Sequence, residues 1–302
     1  MAEGDTGLEV GRARVLHPGP LRWLRATGWM VLLFLVFTGF YGGIQFLPKS
    51  TPLDALKVLA ACVAGFAVYA GAVRLAEGRW PSELKLSHAP VDLLVGAAVG
   101  ALIMALVIAA LSLMGVYQIS GPHGGSPWKM LNIAIQSGMM EELAFRAILM
   151  RLMMRAFGAW PSLIAQAALF GAAHAFNPGA TIVSSVAIMI EAGFLLAAFY
   201  MLSNRLWMSV GLHAAWNFTQ GWLWGASVSG TPRTPSFFTS EPKPGAPEFL
   251  SGGAFGPEAS LPCMIVGTLV AALVLWMAWK KGNFKVRPDE PSQASEVGAG
   301  VS

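Results

Sequence analysis

Charged residues are scarce in this 302-residue chain. Lys, Arg, Asp and Glu make up 12% of it, about half the share found in an ordinary soluble domain. With 55% hydrophobic residues and a mean hydropathy of +0.58, this scarcity excludes a typical soluble protein. The two cysteines, Cys62 and Cys263, both lie in apolar stretches, which excludes a disulfide framework and a cysteine-ligated metal site. No basic cluster is interleaved with aromatics, so no nucleic-acid partner is predicted.

Two sequence signatures are also missing. The His-Glu-x-x-His helix of the common zinc proteases does not occur. No internal repeat is evident, so the sequence does not support an inverted-repeat transporter. The residues that could carry chemistry are therefore the few polar ones inside the apolar stretches.

Long apolar runs dominate the chain. Runs of about 17–25 residues can cross a bilayer as helices. They occur at 26–47, 56–75, 91–116, 130–156, 160–176, 180–203, 206–226 and 260–280. The sequence therefore predicts an all-α fold, a polytopic membrane helix bundle of about eight transmembrane helices over residues 26–282. Residues 1–25 and 283–302 are predicted to be solvated tails, and the Gly- and Pro-rich stretch 227–259 a loop.

The distribution of Lys and Arg predicts the orientation. Three stretches are rich in them: the N-terminal tail, the second connection and the C-terminal tail, with Arg12, Arg14, Arg22, Arg25, Arg74, Arg79, Lys85, Lys280, Lys281, Lys285 and Arg287. Because basic residues favour the cytoplasmic side, both termini are predicted to be cytoplasmic. The compact bundle with short tails is typical of an integral protein of a bacterial inner membrane.

Glu141 and Glu142 are adjacent carboxylates inside the apolar run 130–156. An ionisable group at membrane depth costs at least a few kcal/mol, so such a pair needs compensation. Arg146 lies four residues after Glu142 on the same helical face and can pair with it. Glu141 points about 100° away, which suits it to a separate role as general base. A helix-packing ion network is the alternative interpretation.

Two further apolar runs each carry one histidine. His174 follows Phe170 by one helical turn, and His213 precedes Asn217 by one turn. An amide beside an imidazole suits the binding of a carbonyl oxygen or an oxyanion. The alternatives are a satisfied core histidine and an interhelical hydrogen bond, worth about 0.6–2 kcal/mol in membranes.

The order of these three motifs resembles a known family. Glu141-Glu142-x-x-x-Arg146, then Phe170-x-x-x-His174, then His213-x-x-x-Asn217 is similar to the type II CAAX prenyl protease and bacteriocin-processing family of intramembrane proteases, also called CPBP or Abi. The similarity covers a motif core of about residues 80–226, and every motif position matches.

The resemblance implies an intramembrane endopeptidase that hydrolyses a peptide bond of a membrane-associated or exported precursor. It implies that Glu141 and His174 activate the attacking water. It also implies that Glu142, His213 and Asn217 orient groups and stabilise the tetrahedral intermediate. The expected partners are a protein or peptide substrate and the lipid bilayer.

Arg146 and Phe170 are expected to give structural support. We expect no cofactor and a metal-free, glutamate-dependent reaction. The alternative is a zinc ion held by Glu141, His174 and His213, since two histidines and a carboxylate can bind zinc and leave a position for water.

Three other functions are compatible with the same residues. The carboxylates and histidines could form the relay of a proton- or ion-coupled transporter. His174 and His213 could be axial haem ligands, although that leaves both glutamates unexplained. A non-catalytic immunity or scaffold protein on the same fold is the third alternative.

Overall fold

The computed structural model of the chain describes residues 7–287, and helices dominate them. Eight long helical segments are labelled here α1 to α8: α1 Arg22–Gln45; α2 Pro52–Ala76; α3 Ala89–Leu113; α4 Trp128–Glu142 continued by a π-helical part Leu143–Met150 and by Arg151–Phe157; α5 Ala159–Ala173; α6 Ile182–Ile188 continued by a π-helical part Met189–Gly193 and by Phe194–Ser203; α7 Trp207–Phe218 continued by a π-helical part Thr219–Leu223; and α8 Leu261–Lys280. Each overlaps one predicted apolar run. The prediction of an all-α membrane helix bundle is confirmed.

Five helices of the described part are long and apolar enough to cross a membrane by themselves: Arg22–Gln45, Pro52–Ala76, Ser82–Leu113, Ile182–Ser203 and Leu261–Lys280. The other three long segments, α4, α5 and α7, carry the three motifs. That all eight cross the membrane stays a prediction.

Local sequence signals set several helix ends. Thr51 caps α2 in a reciprocal capping box with Asp54, and Ser260 accepts a hydrogen bond from the backbone of Cys263 at the start of α8. Gly158 separates α4 from α5 with a φ of +77°, a conformation that side chains disfavour. The chain can therefore turn sharply between the first and second motifs.

Two short sheets complete the fold. β1 (Leu8–Glu9) pairs in parallel with β4 (Val286–Arg287). β2 (Tyr117–Ser120) pairs antiparallel with β3 (Thr239–Pro242), with Tyr117 opposite Pro242. The predicted loop 227–259 therefore contains one strand, and it also contains a helical turn, Glu248–Ser251, and a 3₁₀ turn, Pro257–Ala259.

The N-terminal tail corrects one expectation. Leu8, Val10 and Leu16 are buried, and α1 begins at Arg22. The prediction of a solvated tail does not hold for these three residues, because their apolar side chains pack into the hydrophobic core beside α4. Of the predicted C-terminal tail, Asn283 is buried and donates to the carbonyl of Met201; residues 288–302 lie outside the described part.

A buried ion network lies beneath this N-terminal segment. Arg151 is 2.8 Å from Glu77, and Arg79 is 2.9 Å from both Glu77 and Glu83. Burial alone would raise the pKa of Glu77, but Arg151 and Arg79 hold that pKa below its ordinary value. Arg79, one of the residues that predict the orientation, therefore also belongs to a buried, charge-balanced cluster.

Glycines allow α7 to pack directly against the backbone of α3. A Cβ added to Gly96 would lie 2.1 Å from the carbonyl oxygen of Met208, and one added to Gly100 would lie 2.3 Å from that of Leu212. The same helix α7 also packs against α4. Small residues that let backbones approach closely are typical of helix contacts in membranes, and this contact fixes where His213 stands.

Replacing Gly100 by valine should therefore separate α3 from α7. We expect Gly100→Val to lower the free energy of unfolding by at least 1–3 kcal/mol, measured by thermal unfolding of the detergent-purified protein. Gly39→Val is the matched control, because nothing lies within 4 Å of the corresponding position in α1. Equal unfolding temperatures for the two variants would contradict this packing.

Candidate active site

The first motif forms a fully buried ion pair in α4. Arg146 Nη1 lies 2.9 Å from Glu142 Oε1, and both side chains are inaccessible to solvent. The guanidinium carbon of Arg146 also lies 4.5 Å from the ring centroid of Phe170 on α5. Since a desolvated guanidinium over an aromatic face is attractive, Arg146 ties the first motif to the second.

The π-helical part of α6 supplies the remaining partners of Arg146. Its Nη2 lies 3.2 Å from the carbonyl oxygen of Ala192 and 3.4 Å from that of Gly193. Gly193 also accepts a hydrogen bond from the Gln166 amide on α5. Because a π-helical turn interrupts the regular hydrogen-bond ladder, these carbonyls can accept side-chain donors at the centre of the bundle.

His213 connects the first motif to the third. Its Nδ1 lies 2.9 Å from Glu142 Oε1, and its Nε2 lies 3.9 Å from Glu141 Oε2. A carboxylate can only accept at neutral pH, so His213 donates from Nδ1. Glu142 therefore fixes the tautomer and the direction of the imidazole, and Nε2 is turned towards Glu141.

Glu141 has a different environment from Glu142. Its side chain is 17% exposed, and its Oε1 accepts a hydrogen bond of 2.9 Å from the Tyr41 hydroxyl on α1. Gln136, one turn and a half earlier on α4, donates to the backbone carbonyl of Tyr41 and so holds the two helices together. The two adjacent carboxylates are thus separated as expected, one buried in an ion pair and one partly accessible.

Asn217 lies one turn after His213 on α7. Its Nδ2 donates to Ser137 Oγ at 2.9 Å, and Ser137 in turn donates to the carbonyl of Ile133. One amide N–H of Asn217 is fixed in this way. The side chain is therefore oriented by α4, the helix that carries both glutamates.

His174 lies at the C-terminal end of α5, on the 3₁₀ turn His174–Phe176. Its Nδ1 is 2.8 Å from the carbonyl oxygen of Phe170, so Nδ1 carries the proton and Nε2 is the acceptor. The side chain is half-buried. This position at a helix end gives His174 access from outside the bundle.

A small cavity joins His174 to the third motif. It has a volume of about 20 Å³, enough for one water molecule. Its walls are formed by polar and apolar side chains of α5, α6, α7 and the loop before α8: Phe170, His174, Ile188, Glu191, Ala192, Leu195, Leu196, Leu212, His213, Trp216, Asn217, Ser229 and Glu258. Glu141 is not part of these walls, although it lies beside His213.

Two acidic residues that line this cavity were not predicted as site residues from the sequence. Glu191 lies in the π-helical part of α6 with 1% exposure, and neither carboxyl oxygen has a hydrogen-bond partner among the described residues. Glu258 precedes α8 and accepts hydrogen bonds from the backbone and hydroxyl of Ser229; burial raises the pKa of Glu258, against those bonds. The sequence does contain a signal for Glu191, because an ionisable residue inside an apolar run is commonly functional.

The described residues offer no ready metal site. Within 7–287, no group of three or more His, Cys, Asp or Glu side chains is arranged to hold a metal ion. Of the alternative zinc set, Nε2 of His213 and Oε2 of Glu141 lie 3.9 Å apart, while His174 bonds through Nδ1 to the carbonyl of Phe170.

The buried carboxyl group of Glu191 should lower the stability of the fold. We expect Glu191→Met to raise the free energy of unfolding by about 1–3 kcal/mol, because it removes a buried polar group without a partner. Glu258→Met should lower it, because the backbone N–H of Ser229 would lose its acceptor. Thermal unfolding in one detergent compares the two. Equal losses from both substitutions would show that Glu191 has a partner in the folded protein.

A comparison with protein families agrees with the motifs. The family model of the Rce1-like type II CAAX prenyl endopeptidases matches residues 123–219, about a third of the chain. The matched segment contains all three motifs. No curated protein matches the chain. Residues 123–219 therefore match the Rce1-like type II CAAX prenyl endopeptidase model, which supports the resemblance that the motif order predicted.

Proposed function

We propose that this protein is an intramembrane endopeptidase that hydrolyses a peptide bond of a membrane-associated or exported precursor. The observation that carries the proposal is the position of His213, whose imidazole is hydrogen-bonded to a buried carboxylate, Glu142, and lies 3.9 Å from a partly accessible one, Glu141. The family match supports a CAAX-type protease. The roles of single residues, given next, are part of the proposal.

Glu141 is the proposed general base. Water attacks the peptide carbonyl carbon as Glu141 takes one of its protons, and Nε2 of His174 accepts a hydrogen bond from the other. The hydrogen bond from Tyr41 orients the Glu141 carboxylate. When the C–N bond breaks, the proton held by Glu141 passes to the leaving amine, so that the carboxylate is regenerated.

His213 and Asn217 are the proposed oxyanion donors. The carbonyl oxygen gains negative charge as water adds, and donors fixed in advance stabilise that charge most effectively in a site of low dielectric constant. Nε2 of a protonated His213 and the second N–H of Asn217 supply two donors. Glu142 orients His213 through the hydrogen bond to its Nδ1, and Arg146 balances the charge of Glu142.

The setting of the reaction is proposed from the sequence. A bacterial inner membrane with both termini in the cytoplasm agrees with the distribution of Lys and Arg. The substrate is a protein or peptide presented in or at the bilayer. The reaction proposed for these residues uses no cofactor, and nucleic acid has no part in it.

Glu141→Gln is the direct test of the base. We expect its turnover to fall by at least 10²-fold, because an amide cannot accept the proton of the attacking water. Tyr41→Phe should lose less, since it removes only the group that orients the base. Peptidomics of membrane and secreted fractions, with and without active Glu141, identifies the substrate that the assay needs. Unfolding temperatures show that each variant is folded.

Glu241→Gln is the matched control, because Glu241 is an exposed carboxylate paired with Arg233 and neither residue lines the cavity. Full activity of Glu141→Gln would remove the proposed base. Activity lost on exhaustive chelation and restored only by zinc would contradict the metal-free reaction. Ion flux in vesicles that depends on Glu141, without proteolysis, would favour the transporter, and a haem absorbance spectrum would favour the axial-ligand hypothesis.

A further inference from the structure

A second cavity, separate from the candidate active site, is lined by arginines. It lies where the N-terminal segment meets the start of α1 and the end of α4, and its volume is about 320 Å³. Six side chains line it: Val10, Arg12, Pro18, Arg22, Trp23 and Arg155. Three of the six are permanently charged guanidinium groups, and none of these lining residues is acidic. A cavity of this charge attracts an anion.

Hydrogen bonds to the main chain hold the walls of this arginine pocket in place. Arg155 donates from Nε to the carbonyl of Gly11 at 2.9 Å and also donates to the carbonyl of Leu16. Arg25 donates from Nη2 to the carbonyl of His17 at 2.8 Å. The N-terminal segment is thereby fixed over the end of α4. The pocket is part of the fold and not a chance gap beside a loose tail.

With α1 crossing a bilayer, the pocket would lie at the level of the lipid headgroups. It adjoins the first residue of α1, a helix long and apolar enough to span. Trp23 stacks on Phe157 with 6.3 Å between ring centroids, and these rings are 50% and 61% exposed. Leu21 and Leu24 beside them are also exposed. Exposed aromatics at the end of a span are typical of the membrane interface.

We propose that the arginine pocket binds the phosphate of an anionic phospholipid headgroup. Arginine recognises phosphate through parallel hydrogen bonds, and the exposed leucines and aromatics around the pocket suit the acyl chains of the same molecule. Basic pockets at the ends of membrane helices bind anionic headgroups on the cytoplasmic side, the side that the Lys and Arg distribution predicts for this face. The proposal is independent of the proposed protease activity.

The test measures lipid binding to the full-length protein in detergent. Native mass spectrometry and thermal unfolding compare phosphatidylglycerol with phosphatidylcholine. We expect phosphatidylglycerol to bind and stabilise the wild type, and the double substitution Arg12→Gln, Arg22→Gln to weaken that binding by about 10- to 30-fold. Both arginines are exposed, so the variant should fold, which its unfolding temperature without lipid verifies.

Arg74→Gln is the matched control. Arg74 is exposed and stands 5.5 Å from the ring of Trp80, much as Arg22 stands 5.4 Å from that of Trp23, but it does not line the pocket. An equal loss of phosphatidylglycerol binding in Arg74→Gln would overturn the proposal, because the lipid would then be attracted by the whole basic face and not by the pocket. Stabilisation by inorganic phosphate but not by phosphatidylglycerol would also overturn it, since the ligand would be a free anion.

Discussion

The candidate site depends on one buried ion pair. Arg146 and Glu142 have no contact with solvent, and removing either charge alone would leave the other without compensation, at a cost of about 3–5 kcal/mol. The pair is built into a network that reaches three other helices, through the ring of Phe170, the carbonyls of the π-helical part of α6, and the imidazole of His213. The pair also orients His213, because the Glu142 oxygen that neutralises Arg146 is the one that accepts the hydrogen bond from the imidazole.

Close helix contacts make this network possible. Gly138 lies against Ala214, Gly171 against the backbone of Ser185, and Gly100 against the backbone of Leu212, each at a distance that a side chain would not allow. Gly138 and Gly171 stand three residues before Glu141 and His174, nearly one turn away on their helices. Small residues next to the motifs therefore bring the helices near enough for short polar side chains to meet.

The positions of the helices and the pairing of Glu142 with Arg146 could be predicted because both depend on local signals. Apolar run length predicted the helices, and spacing along one helix predicted the pairing of Glu142 with Arg146. The match of residues 123–219 to a known family confirms the resemblance. The catalytic roles assigned to the motif residues remain proposals.

The rest could not be predicted because it depends on contacts between distant parts of the chain. Tyr41 donates to Glu141 across 100 positions, and no periodicity of α1 marks it. The N-terminal segment carries few apolar residues, yet Leu8 and Val10 are buried because they join the hydrophobic core beside α4. Glu191 differs, since an ionisable residue inside an apolar run is a signal that the sequence itself contains.

A double-mutant cycle between Glu142 and Arg146 tests the central claim most directly. The free energy of unfolding would be measured for Glu142→Leu, Arg146→Met and the combination. The account predicts that each single substitution costs about 3–5 kcal/mol and that the combination costs far less than their sum, because no buried charge is left alone. Losses that simply add would contradict it, since the two charges would then not compensate each other within the bundle.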